Sequence, residues 1–167
     1  MNKTVRARDL MSRPVCQLMC WTPVRDAAAF LLRHGISGAP VLDEHGNWIG
    51  VFTQNDLARY VQNRLGPAGL DRTLEARENV VNLFSLPLEK VGETPVREFM
   101  TAGMYTVFPE ATMEEVIHTM TSFKIHRVFV IDEKDGALQG VITSMDILRR
   151  MGAGNAGLRK TKKTQRV

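Results

Sequence analysis

Two stretches of this chain place an aspartate three residues after a threonine, where an apolar strand gives way to a helix: Thr53 with Asp56, and Thr143 with Asp146. A carboxylate in the first turn of a helix is kept ionised by the amino-terminal end of the helix dipole. It can accept two hydrogen bonds from a pair of vicinal hydroxyls, with the threonine hydroxyl facing the same cleft. The competing account is that each pair caps its own helix, and for a single T-x-x-D that account is the better one. Two occurrences in register shift the balance toward ligand binding at one site at least. A third candidate is His126-Arg127, immediately before a strand. A guanidinium is a planar fork that matches phosphate oxygens; the plainer alternative is a solvated pair covering a sheet edge.

The elements that must position these residues form an internal repeat. Gly35 to Leu57 reads as strand, polar turn, strand and helix start, and Lys124 to Leu148 has the same grammar. A shift of 89 carries Ile36, Val41, Asp43 and Glu44 onto Ile125, Val130, Asp132 and Glu133. The second turn is one residue longer, and a shift of 90 then carries Gly50, Val51, Thr53 and Asp56 onto Gly140, Val141, Thr143 and Asp146. Paired antiparallel strands are expected on either side of each turn, Ala39 to Asp43 with Trp48 to Thr53 in the first repeat.

Each repeat opens with a lead-in segment. Leu10-Met11 and Phe99-Met100 are apolar pairs followed by Pro or Gly, which predicts a short helical turn that stops there. A short strand follows, Val15 to Met19 or Tyr105 to Phe108, and then a helix. Val24 to His34 has apolar residues on one face, with Thr22 as the expected N-cap and Pro23 in the first helical position. Thr112 and Glu115 form a capping box ahead of Met113, Val116, Ile117 and Met120; these methionines are better explained as core filling than as ligands. The last helices are expected over 55–63 and 145–151. The spacing thus predicts an α+β fold of two β-α-β-β-α units, over 1–64 and 95–151. Between them, 65–94 is an insert with a loop at 66–69 and a helix over 72–84. The stretch 152–167 reads as a disordered basic tail.

Composition narrows the functional classes. The chain has 167 residues, 44% hydrophobic and 24% charged, as in an ordinary soluble globular protein. The net charge is +4, and the five cations after Arg150 face no acids; removing them leaves −1. A nucleic-acid-binding body is therefore not expected, and only the tail could serve such a partner. No apolar run is long enough to cross a bilayer, and no apolar core follows the charged start, so no membrane association and a cytoplasmic location are expected. Cys16 and Cys20 read as two buried or half-buried thiols rather than a disulfide or a metal site. His34, near a helix carboxyl end, is explained by the dipole. No nucleophile elbow, P-loop, dinucleotide glycine fingerprint or zinc-protease motif is present, so an enzyme and a metal centre are not expected.

The order of elements, the G-V-x-T-x-x-D signature in both repeats and the strand ending in V-[LI]-D resemble cystathionine-β-synthase (CBS) domains; two in tandem resemble a Bateman module. The resemblance covers about Val5 to Tyr60 and Thr94 to Met151. It implies that the two domains pack through their sheets as a pseudo-twofold pair whose clefts bind AMP, ADP, ATP or S-adenosylmethionine and regulate a partner protein. It implies a homodimer in which helices of two modules pack together. It also implies ligand contacts at Gln17, Leu18, Ser37, Gly38, Ala39, Thr53 and Asp56 in the first repeat, and at Thr106, Val107, Ile125, His126, Arg127, Val128, Thr143 and Asp146 in the second. By that likeness the two aspartates hold ribose, and the backbone near Gln17–Leu18 and Thr106–Val107 meets the adenine edge. His126-Arg127 is similar to the His–Arg pair that repeats of the AMP-activated protein kinase γ subunit place against phosphate. Ser37-Gly38-Ala39 resembles family members whose cleft admits a ligand close to the backbone. Alternatives are an interaction module whose clefts are filled by side chains, and nucleic-acid binding through the tail.

Overall fold

The computed structural model describes residues 4–63 and 92–153. The expected loop at 66–69, the expected helix at 72–84 and the stretch from 154 onward lie outside the described residues. The chain divides into two compact units, and they are not cut where the repeats are cut. The first unit is Val15–Met104; the second joins the residues up to Pro14 to those from Tyr105 onward. Each lead-in segment therefore packs on the body of the other repeat.

In the first unit, β1 (Leu18–Met19) lies parallel to β2 (Gly38–Leu42), which pairs antiparallel with β3 (Trp48–Thr53). The hairpin turns where expected. Asn47, through its side chain and its backbone N–H, holds the Asp43 carboxyl below the usual carboxylate range. The fourth strand of this sheet, β4 (Thr101–Ala102), comes from the lead-in of the second repeat and pairs antiparallel with β3. Its backbone runs so close to Gly50 that a Cβ there would sit 2.4 Å from the Thr101 carbonyl oxygen. This is a physical reason for the glycine in the repeated G-V-x-T.

The second unit repeats the plan. Its three-stranded sheet is β5 (Thr106–Val107), parallel to β6 (Arg127–Ile131), which is antiparallel to β7 (Leu138–Thr143). The lead-in of the first repeat bridges it at Ser12–Val141, and a Cβ on Gly140 would meet the Met11 Sδ at 2.5 Å.

Helices cover both sheets. The first lead-in forms α1 (Ala7–Leu10), and the second forms only a 3-10 turn, Val96–Glu98. The amphipathic helices are α2 (Val24–His34), α3 (54–63), α4 (Met113–Ser122) and α5 (Ser144–Ala153). The capping box of α4 is present: the Glu115 N–H donates to Thr112 Oγ1 at 3.2 Å, and the Thr112 N–H donates to Glu115 Oε2 at 2.6 Å. The expected Thr22 cap of α2 is not. Pro23 flanks the helix, and the Val24 N–H donates to the Thr94 carbonyl at 2.8 Å. A backbone acceptor from a distant segment does the work assigned to the threonine hydroxyl.

The cores follow the apolar stripes. Leu18, Val24, Ala27, Leu31, Val41, Phe52, Leu57 and Tyr60 close the first unit. Ala7, Leu10, Val116, Met120, Val128, Val130, Ile142 and Ile147 close the second.

Candidate functional site

In both units the candidate residues gather at one end of the sheet. Strand register fixes this: Gly38 stands opposite Thr53, and Arg127 opposite Thr143. The turn into the helix is tied back to the start of the central strand. The Gln54 N–H donates to the Ser37 carbonyl, and the Ser144 N–H to the His126 carbonyl, both at 3.1 Å. The parallel strand starts at the same end, where the Phe129 N–H donates to the Tyr105 carbonyl at 2.9 Å. Thus Thr106, His126, Arg127, Thr143 and Asp146 share one edge of the second unit.

Not every candidate presents a side chain there. Leu18, Ala39 and Val128 are buried in the cores, and Val107 and Ile125 pack against the second core, so these offer a ligand only their backbone groups. Gln17 and Leu18 instead line an open groove of about 350 Å³ between β1 and α2, with Met19, Thr22, Asp26, Ala29, Phe30 and Arg33. None of Ser37, Gly38, Ala39, Thr53 or Asp56 lines it.

The two T-x-x-D pairs begin alike. In each, one aspartate oxygen caps the helix entrance: Asp56 Oδ2 accepts from the Thr53 N–H at 2.7 Å and hydroxyl at 2.6 Å, and Asp146 Oδ2 accepts from the Thr143 N–H at 2.8 Å and hydroxyl at 2.6 Å. The second oxygens differ. Asp56 Oδ1 is clamped by the Arg59 guanidinium and accepts the Thr101 hydroxyl at 3.1 Å. The same Arg59 nitrogen donates to the Phe99 carbonyl at 3.0 Å, which fastens the arrangement to the lead-in. Among the described residues, Asp146 Oδ1 has a single distant donor, Arg149 Nη1 at 3.5 Å. The Asp56 side chain is 2% exposed and that of Asp146 12%. The first carboxylate is already fully engaged by the protein, while the second keeps one oxygen with spare acceptor capacity.

Sequence reasoning missed Arg59, Thr101, Tyr105 and Phe123. Arg59 and Arg149 were findable, because an i+3 arginine follows both aspartates on one helix face. Thr101 was not, because it arrives from the other repeat. Tyr105 and Phe123 form an exposed aromatic pair with ring centroids 4.5 Å apart and planes inclined at 36°. Subtracting 89 puts Cys16 and His34 at their places, where Cys16 Sγ lies 3.8 Å from His34 Nδ1. Both cysteines are free thiols, Cys16 half-buried and Cys20 buried. No group of three or more metal-ligating side chains occurs among the described residues.

The chain belongs to the CBS domain family, whose model matches residues 7–63 and 96–153. The fold is that of CBS domain pairs. A pair crystallised with 5′-methylthioadenosine and S-adenosyl-L-methionine superposes with a TM-score of 0.66 at 23% identity, covering 91% of this chain and 99% of that one. A CBS-domain protein in complex with AMP gives 0.66 at 22%, covering 90% and 98%. One from Agrobacterium tumefaciens gives 0.67 at 23%, covering 90% and 96%. Among curated relatives, L-aspartate semialdehyde sulfurtransferase of Methanocaldococcus jannaschii is 26% identical over 87% of this chain, which spans 23% of that protein. The AMP-activated protein kinase γ subunit of Kluyveromyces lactis is 29% identical over 87% of this chain, which spans 38% of it. The A-adding tRNA nucleotidyltransferase of Aquifex aeolicus is spanned over only 14% of its length. Among the described residues no helix is long and apolar enough to cross a membrane.

Proposed function

We propose that this chain is a regulatory module that binds an adenosyl ligand (AMP, ADP, ATP or S-adenosylmethionine) and thereby modulates a partner protein. The observation that carries the reading is the edge of the second unit. There Asp146, a carboxylate at a helix amino terminus whose second oxygen meets only Arg149 at 3.5 Å among the described residues, stands beside His126 and Arg127 at the start of β6. A carboxylate so placed suits a ribose diol, and a histidine–arginine pair suits phosphate. The AMP and S-adenosylmethionine complexes of proteins with this fold support the same ligand class. In this reading Thr106, Val107, Ile125 and Val128 meet the base through their backbone, and Thr143 orients Asp146. Regulation rather than catalysis, a homodimer of modules and a cytoplasmic location belong to the same proposal.

The second reading, an interaction module without ligand, is favoured by Asp56, whose acceptors are all used by protein donors. Isothermal titration of the full chain with AMP, ADP, ATP and S-adenosylmethionine separates the two. Saturable binding of at least one is expected, weakened by Asp146→Asn. The absence of heat from all four would leave the interaction module standing.

A further inference from the structure

We propose that the adenosyl ligand is held by the second unit alone, one molecule per chain, with its purine ring laid on the Tyr105–Phe123 pair. This rests on the adenosyl-binding reading above and adds to it which repeat is used and what recognises the base.

The aromatic pair is the first observation. Tyr105 and Phe123 are 43% and 55% exposed, so two large rings lean on each other at a tilt and still present apolar surface to water. Packing does not demand rings at these places. The matching positions of the first repeat carry Cys16 and His34 on the same backbone plan, and there the His34 ring meets Phe30 of its own helix, with centroids 4.4 Å apart, rather than a ring at the strand start. An exposed aromatic surface of this kind is a sequence-tolerant platform for any flat heteroaromatic base.

Position is the second. Tyr105 immediately precedes β5, Arg127 opens β6, and Thr143 closes β7 into the helix of Asp146. With neighbouring strands 4.7–4.9 Å apart, the β5 and β7 ends are separated by about 10 Å. A nucleoside laid across these ends puts its base over Tyr105–Phe123 and its ribose at Asp146. His126 and Arg127, on the strand between, then lie within reach of the 5′ substituent. The first unit lacks the carboxylate anchor, because Asp56 has no acceptor to spare, and in its Phe30–His34 ring pair, with centroids 4.4 Å apart, Phe30 is packed against the core.

The test is titration of the full-length chain with AMP, adenosine and ribose 5-phosphate. A stoichiometry of one AMP per chain is expected. Tyr105→Leu and Phe123→Leu should each weaken AMP and adenosine by about tenfold, the scale of losing one base–aromatic stack. Both should leave ribose 5-phosphate unchanged, because it has no base. Tyr105→Phe keeps the ring and should bind as the wild type does, and Cys16→Ala should change nothing. Far-ultraviolet circular dichroism checks that each variant folds. Two equivalent AMP molecules per chain, or Tyr105→Leu and Phe123→Leu binding AMP within twofold of wild type while Asp146→Asn loses it, would overturn this inference and leave the adenosyl reading intact. A wild-type chain that binds no adenosyl compound would overturn both.

Discussion

Asp56 and Asp146 occupy the same place in the same motif, yet the protein treats them differently. Both cap a helix with one oxygen. The second oxygen of Asp56 is taken by Arg59 and Thr101, and that of Asp146 is nearly open. The difference originates outside the motif. Thr101 rides on β4, the lead-in strand that crosses Gly50, and its hydroxyl reaches the carboxylate. Ser12, at the matching place in the other lead-in, meets Val141 through backbone bonds at 2.8 and 3.2 Å, and among the described residues its hydroxyl makes no bond to Asp146. A recurring sequence signature thus marks a position, and the donors around it decide whether that position is a clamp or a socket.

The sharpest way to break this comparison is to remove each carboxylate and measure stability. Asp56→Ala strands the Thr53 N–H and hydroxyl and the Thr101 hydroxyl in a part-buried site. A loss of about 2–4 kcal/mol is expected. Asp146→Ala removes a helix cap at a more exposed place and should cost about 1 kcal/mol, with the heavier effect on ligand binding. Urea unfolding of both variants without ligand decides it. Equal losses would mean that the two carboxylates do the same structural work.

The glycines beneath the lead-in strands give the next largest contrast. At Gly50 the obstacle to a methyl group is a backbone carbonyl oxygen at 2.4 Å, which moves only if β4 moves. At Gly140 it is the Met11 side chain, with Sδ at 2.5 Å and Cβ at 2.8 Å; the flexible thioether can swing aside, and the Cβ requires a shift of the lead-in backbone of a few tenths of an ångström. Gly50→Ala should therefore cost about 2–3 kcal/mol and Gly140→Ala about 1–2 kcal/mol, within the usual span for overpacking. Thermal melts that rank them the other way would show that β4 yields more readily than Met11.

What was legible in the sequence was local. The hairpins, the Thr112–Glu115 box and the two aspartates at helix starts each depend on residues within a few positions of one another, and the repeat doubled every such signal. What was not legible depends on segments far apart. The exchange of lead-ins brings Thr101 to Asp56, 45 residues away, and the Thr94 carbonyl relieved Thr22 of its capping role. No periodicity reports either contact. The aromatic pair lay between these cases: the shift of 89 that revealed the repeat also exposes where the repeats disagree, at Cys16 against Tyr105 and at His34 against Phe123.

The smallest contrast sits one residue beyond that last position. Gly35 ends α2 with φ of 61°, and Lys124, its counterpart after α4, has φ of 53°. The left-handed region costs an L-residue roughly 1–2 kcal/mol, whereas glycine enters it freely. The chain tolerates the cost at Lys124 because the turn is fixed from both sides: the Lys124 N–H donates to the Thr121 carbonyl at 3.3 Å and the Ile125 N–H to the Met120 carbonyl at 2.9 Å. Lys124→Gly relieves the strain but gives the unfolded chain more freedom, which offsets part of the gain. A net stabilisation of about 0.5–1 kcal/mol is expected. The reverse change, Gly35→Lys, meets open space around the new Cβ, so its cost should be conformational alone, about 1 kcal/mol. Paired denaturant titrations test both. If Lys124→Gly destabilised the protein, the lysine side chain would have to contribute more than its backbone strain costs. If Gly35→Lys were neutral, the two helix ends would not be equivalent in the way their dihedral angles imply.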